Sequence, residues 1–337
     1  MRVKKVIFFV AAFFACAWVL VLTSCGHNEE PTLQEVAISF NSTATDSRAV
    51  ITDNAALQTA CSSGEAIGVW GVVNNDINTN AMLFDNIELT YDGQWGYEPT
   101  RHWIRNAQHD FWALYPQSDD NCVFDVAAGT VTRSNITLGT TNAANNVDYM
   151  CAFSTRDLRL PDATTAPVPL DMTHALALLE FRFINALGQV SGVTNISLEG
   201  LVYRGSITFG RDGSLGGTRN GLVDIRVDKE SAIVATGSNI YTGLCSTSPI
   251  PKNLSLSYNL FENVGGVVVM PQQVEGKNIM FNLKVGDSSS SINLGQLSPS
   301  EWEAGKKYIY TTTLTSTTIV CDVRVVDWVK DTVDLIP

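Results

Sequence analysis

The stretch Thr173-His-Ala-Leu-Ala-Leu-Leu-Glu-Phe-Arg-Phe183 decides the fold class. Its first half has helix-forming composition, and a short apolar run alone does not separate helix from strand. Its second half does: Leu179, Phe181 and Phe183 alternate with Glu180 and Arg182, as in a strand with one face in a core. The run also begins just after the turn-prone segment Pro161–Pro169. We therefore read 173–183 as one long, mostly buried strand.

The same alternation recurs along the chain. Ile279, Phe281, Leu283 and Val285 share one face of 278–285, and Tyr308, Tyr310, Thr312 and Leu314 share one face of 306–314. Ile319, Cys321, Val323 and Val325 line up next, and Val36, Ile38 and Phe40 do so within Leu33–Phe40. Segments rich in Asn, Gly, Asp and Ser separate these runs, including Asn74–Asn80, Tyr91-Asp-Gly93, Thr140–Asn146 and Arg211–Gly221. Many short alternating strands punctuated by turn signals predict an all-β protein built of β-sandwich layers. Helical pattern is nearly absent. The Pro-rich segment 161–169 should stay out of a central ladder and act as an extended linker. Cutting there predicts two domains, 25–165 and 166–337, each large enough for its own core.

At the N-terminus, Arg2, Lys4 and Lys5 precede an apolar run from Val6 to Leu22, then Thr23-Ser24-Cys25. A charged region, an apolar region and a processing site read as a secretory signal over 1–24. The apolar run falls short of the ~20 residues of a relaxed membrane span. Leu22-Thr-Ser-Cys25 resembles the bacterial lipobox, which makes Cys25 the expected lipidation site and the outer membrane the expected partner through that lipid. Removing Arg2, Lys4 and Lys5 leaves 19 basic residues (22 less 3) against 34 acidic, a net charge of about −15. That balance disfavours nucleic acid as a partner.

Beyond Cys16 and Cys25 lie Cys61, Cys122, Cys151, Cys245 and Cys321, widely spaced and without a Cys-x-x-Cys. Neither a zinc site nor a redox motif is predicted, and most of the thiols are expected to be small buried apolar groups. The segment from Trp95 to Tyr115 concentrates Trp95, Trp103 and Trp112 with His102 and His109. It reads either as a sugar-stacking platform or as a hairpin supplying core aromatics. Phe111, Ala113 and Tyr115 against Trp112 and Leu114 make both faces apolar, which favours a central core strand. His102 and His109 need not converge, and His174 heads an apolar strand as a hydrogen-bonded, partly buried histidine. No nucleophile elbow, zinc helix or phosphate loop occurs, and no local carboxylate pair marks a glycosidase. No catalytic residue, cofactor or metal is expected.

Several stretches together resemble the fimbrillin family, the type V pilins and their relatives. They are Ile67-Gly-Val-Trp-Gly71, Phe111-Trp-Ala-Leu-Tyr-Pro116, Asp148-Tyr-Met-Cys-Ala152, Thr173–Phe181, Trp302-Glu-Ala-Gly-Lys-Lys-Tyr-Ile-Tyr-Thr311 and Val325-Val-Asp-Trp328. They occur in consistent order over nearly the whole chain after Cys25. The resemblance implies two tandem transthyretin-like β-sandwich domains and export as a lipoprotein precursor. It also implies a role as a structural subunit or accessory adhesin of surface fimbriae. In polymerising members an arginine-specific protease cuts behind the first strand, and a strand of another subunit fills the vacated groove. Carried onto this sequence, Leu33–Phe40 is the removable strand and the cut falls between Arg48 and Ala49. The donor would be Tyr308–Pro337, of which residues 329–337 follow Trp328 and either reach a neighbour or complete their own sheet. The implied partners are other fimbrillin subunits by strand exchange and a host or bacterial surface ligand. The alternatives are a non-polymerising glycan-binding surface lipoprotein, with tryptophans exposed at a rim, and a surface hydrolase with converging carboxylates.

Overall fold

The computed structural model describes residues 36–44, 54–75, 80–118, 120–139, 146–186, 193–211, 223–230, 252–260, 266–285, 288–297, 299–314 and 319–328. The signal segment, Cys25, residues 33–35, Arg48, Ala49, Cys245 and residues 329–337 lie outside them. The first half supplies β1 (Phe40–Ala44), helix α1 (Asn54–Ser62), β2 (Ile67–Asn74), β3 (Ala81–Tyr91), β4 (Trp95–Gly96) and β5 (Gln108–Tyr115). It continues with β6 (Cys122–Asp125), β7 (Thr130–Thr137), β8 (Met150–Asp157) and β9 (Val168–His174). The second half supplies β10 (Ala177–Asn185), β11 (Val193–Glu199), β12 (Arg204–Arg211), β13 (Val223–Lys229), β14 (Asn253–Asn259), β15 (Val267–Val269) and β16 (Gln272–Gln273). It ends with β17 (Met280–Val285), β18 (Ser288–Asn293), β19 (Glu301–Trp302), β20 (Lys306–Leu314) and β21 (Ile319–Asp327). The chain is all-β but for α1 and a single 3-10 turn among the described residues. No described helix is long and apolar enough to cross a membrane.

Seven strands form the largest sheet, in the order β1-β9-β8-β5-β2-β3-β4. Its central strands are buried on both faces, as the double alternation in Phe111–Tyr115 predicts. One face carries Val69, Phe84, Phe111, Ala113, Ala152 and Leu170, covered by Leu57 and Cys61 of α1, by Trp103 and by Ile38 and Phe40. The other carries Trp70, Trp112, Leu114, Cys151 and Phe153, packed on Val131, Ile207 and Phe209. Those last three belong to a second sheet, β13-β12-β7-β6, in which β7 of the first half pairs antiparallel with β12 of the second. A third core lies between the β14-β10-β20-β21 sheet and the β11-β17-β18 sheet. Phe181 stacks there on Phe281 with centroids 4.2 Å apart, and Ile279, Leu283, Tyr308 and Tyr310 surround them.

The stretch 173–183 is extended, but it is two strands. Residues 168–174 belong to the seven-stranded sheet and 177–185 to the next one. Ala175 N–H donates to Tyr149 O at 2.8 Å, while Leu176 O accepts from Gly305 N–H at 2.9 Å, so the switch between sheets falls at Ala175-Leu176. An unbroken apolar run suits a crossing where every side chain meets a core. Val168 and Pro169 also join a ladder, against the expectation that the Pro-rich segment would stay out of one. Val168 N–H points to β1, donating to Ser39 O at 2.8 Å, so the N–H that Pro169 lacks would face β8. There β8 pairs only with Thr173 and His174, and no ladder bond is lost. Helix α1 was not foreseen; its only tertiary signal is Leu57 and Cys61, four apart and both buried.

Two sets of buried polar side chains lie within these layers. Glu180, on the face of β10 opposite Phe181, receives Lys307 Nζ at 2.6 Å on one oxygen and Arg182 Nε at 2.5 Å on the other. His109 is buried edge-on to Trp103 and stacked over Phe111, and its Nε2 accepts from Ile104 N–H at 3.2 Å. Desolvation outweighs the nearby Asp110 and pushes the His109 pKa from 6.5 down to about 4.

Glu180→Ala removes the carboxylate that faces the buried Lys307 ammonium and should cost about 3–5 kcal/mol in urea unfolding. The apolar double replacement Glu180→Leu with Lys307→Met should recover most of that loss, and equal destabilisation of both variants would refute the assignment. As pH falls from 6.5 toward about 4, unfolded chains take up a proton that the native His109 ring refuses, so stability should fall through that window and not above it. His109→Gln should flatten this part of the stability–pH curve; an unchanged slope would contradict the burial argument.

Candidate functional site

The alternation that singled out Val36, Ile38 and Phe40 runs on through Ser42: residues 37, 39 and 41 are exposed, and Ile38, Phe40 and Ser42 are buried. Among the described residues the ladder with β9 begins only at Phe40. Val36–Ile38 instead lies along residues 101–103, with Ile38 N–H donating to Arg101 O and Trp103 N–H to Val36 O. Phe40–Ala44 then pairs in parallel with Val168–Met172. The first described segment is thus held on one side by the 101–103 backbone and on the other by β9, at the edge of the large sheet.

Its side chains complete a core. Phe40 is 5 % exposed and meets Phe84, Tyr97 and Phe111 edge to face at centroid distances of 5.5, 5.7 and 5.5 Å. Gly71 makes the space: a Cβ there would lie 2.9 Å from Phe84 and 3.2 Å from Phe111. The Tyr97 hydroxyl donates to Ile38 O at 2.8 Å. Ser42 Oγ, in an otherwise apolar wall, donates to Asn54 Oδ1 at 3.2 Å. Sequence reading missed Ser42, Asn54, Gly71 and Tyr97 as parts of this site. Only Ser42 left a signal, by continuing the alternation past Phe40.

Elsewhere the candidates resolve as packing. Trp70, Trp103, Trp112, Trp302 and Trp328 are all at most 2 % exposed, and among the described tryptophans only Trp95, beside Tyr91, is half-buried. His102 is exposed while His109 is buried, so the two do not form one site. His174 Nδ1 lies 3.0 Å from Asp148 Oδ1, and its ring stacks on Trp328 with centroids 3.9 Å apart. The described cysteines Cys61, Cys122, Cys151 and Cys321 are thiols. Burial pushes Cys61 up to about 12, with the Glu65 charge adding to it, and raises Cys151 well above its ordinary value. Among the described residues no His, Cys, Asp or Glu group has metal-holding geometry.

The comparisons with known proteins agree with this architecture. A fimbrial protein from Bacteroides vulgatus superposes with a TM-score of 0.55 at 13% identity, covering 87% of this chain and 99% of its own. A candidate cell adhesion protein from Bacteroides ovatus superposes with a TM-score of 0.53 at 14% identity, covering 88% and 99%. At such identities the likeness speaks to the fold. No curated protein matches the chain in sequence. The family model described as fimbrillin-like matches residues 47–328, which span both faces of the large sheet and the C-terminal sandwich, so the chain belongs to the fimbrillin-like family.

Proposed function

We propose that this chain is a structural subunit or accessory adhesin of surface fimbriae. It is exported as a precursor with signal peptide 1–24, lipidated at Cys25 and held at the outer membrane. Cleavage between Arg48 and Ala49 then opens it for strand exchange with other fimbrillin subunits. Uncut, it stays a surface lipoprotein; cut, it enters the fimbrium and presents itself to a host or bacterial surface ligand.

One observation carries this reading. An edge strand whose side chains finish a core ends at Ala44, shortly before the proposed cut between Arg48 and Ala49. The family match begins at residue 47, which leaves β1 outside the matched portion. Loss of β1 would expose the β9 edge and an apolar trough together, the combination that recruits an extended segment by β-augmentation. The burial of five tryptophans weighs against a broad sugar-stacking face. Residues 25–165 and 166–337 serve in this reading as two domains that share sheets, β9 of the second lying in the large sheet and β7 of the first pairing with β12.

Intact mass of surface-sheared protein should show a chain beginning at Ala49. A lipidated chain beginning at Cys25 within assembled filaments would refute the exchange step for this subunit. Cys25→Ala should abolish metabolic labelling with fatty acid, and normal labelling would remove the lipoprotein step.

A further inference from the structure

The side chains of Val36–Ala44 are not equivalent, and their differences describe what else the groove would hold. Ile38 and Phe40 are 2 % and 5 % exposed, and Ser42 is fully buried, while residues 37, 39 and 41 face outward. The Phe40 position is bounded by three rings, Phe84, Tyr97 and Phe111, two of which close over Gly71, where a Cβ would crowd them. Edge-to-face geometry with three neighbours rewards a planar ring, and a smaller group leaves the surrounding atoms without contacts. The Ser42 position admits a small side chain and supplies the Asn54 carbonyl as acceptor for a hydroxyl. A bulky or donor-free residue there would leave the half-buried Asn54 acceptor without this bond.

Residues 329–337, Val-Lys-Asp-Thr-Val-Asp-Leu-Ile-Pro, do not supply this pattern. Spacing by two places an Asp, Thr, Val or Leu at the Phe40 position in every register. The most apolar register sets Val333, Leu335 and Pro337 against the sites of Ile38, Phe40 and Ser42. Leucine underfills the aromatic pocket, and proline brings no hydroxyl to Asn54 and no backbone N–H.

Resting on the strand-exchange reading above, we propose that the groove is keyed to an aromatic side chain at the Phe40 site. It takes a strand from a different partner chain, with a β-branched or aliphatic residue two positions before the ring and a Ser or Thr two positions after it. It discriminates against residues 329–337 of a second copy.

The test uses the full-length chain in detergent, nicked once after Arg48 by an arginine-specific protease, with the cut verified by mass. Fluorescent peptides are titrated in and binding is followed by anisotropy. They are the 36–44 sequence, the same peptide with Phe40→Tyr, with Phe40→Ala and with Ser42→Pro, and the 329–337 sequence. The 36–44 and Phe40→Tyr peptides should bind, and the other three should bind more weakly by roughly tenfold or more. If 329–337 or the Phe40→Ala peptide binds as tightly as 36–44, the aromatic key is refuted while strand exchange stands. If no peptide binds, the 36–44 sequence included, strand exchange fails and the key with it.

Discussion

A sheet that is apolar on both faces must be covered twice, and this constraint organises the molecule. The alternating rings and aliphatics of β2, β5 and β8 leave no solvent face at the centre of the seven-stranded sheet. One cover is a second sheet, built jointly from β6 and β7 of the first half and β12 and β13 of the second. The other cover is improvised from α1, the loop around Trp103 and the N-terminal segment. The first cover is continuous with the rest of the fold. The second is a patchwork, and one patch is a strand at the very edge.

Strands buried on both faces, in this sheet and in the next, also account for the buried polar groups. Where β10 and β20 run parallel, Glu180 binds both Lys307 and Arg182, since a carboxylate withdrawn from water needs its oxygens occupied. His109 solves the same problem differently, by staying neutral among rings and accepting a backbone N–H. Each device follows from placing polar residues on strands that have no wet side.

Much of this was legible in the sequence because period-two alternation is local. The strands around Phe281, Tyr310 and Val323 stand where the pattern puts them, and the double alternation of Phe111–Tyr115 marked the central strand correctly. Val325 is the exception on its face, 45 % exposed because β21 is an edge strand with a neighbour on one side only. What stayed hidden was long-range. Nothing near Thr132 or Ile207 announces that β7 and β12 pair across the middle of the chain. The split of 173–183 was equally hidden, since an apolar run reads the same whether it stays in one sheet or steps into another. At the groove the apolar knobs showed, but the socket did not, because Gly71, Phe84, Tyr97 and Phe111 converge only in the fold.

The stack of Trp328 on His174 has a mechanical side. Trp328 closes the edge strand β21, whose backbone bonds antiparallel to β20 along its full length, and its N–H donates to Gly305 O at 2.8 Å. His174 closes β9, the strand that lies beside β1. Tension applied to the chain just after Trp328 therefore reaches β9, the strand beside β1, through this ring pair. If strands exchange as proposed above, a pull arriving from either side of the subunit would load β9, and the strand that holds an incoming segment would share the force on the C-terminal end.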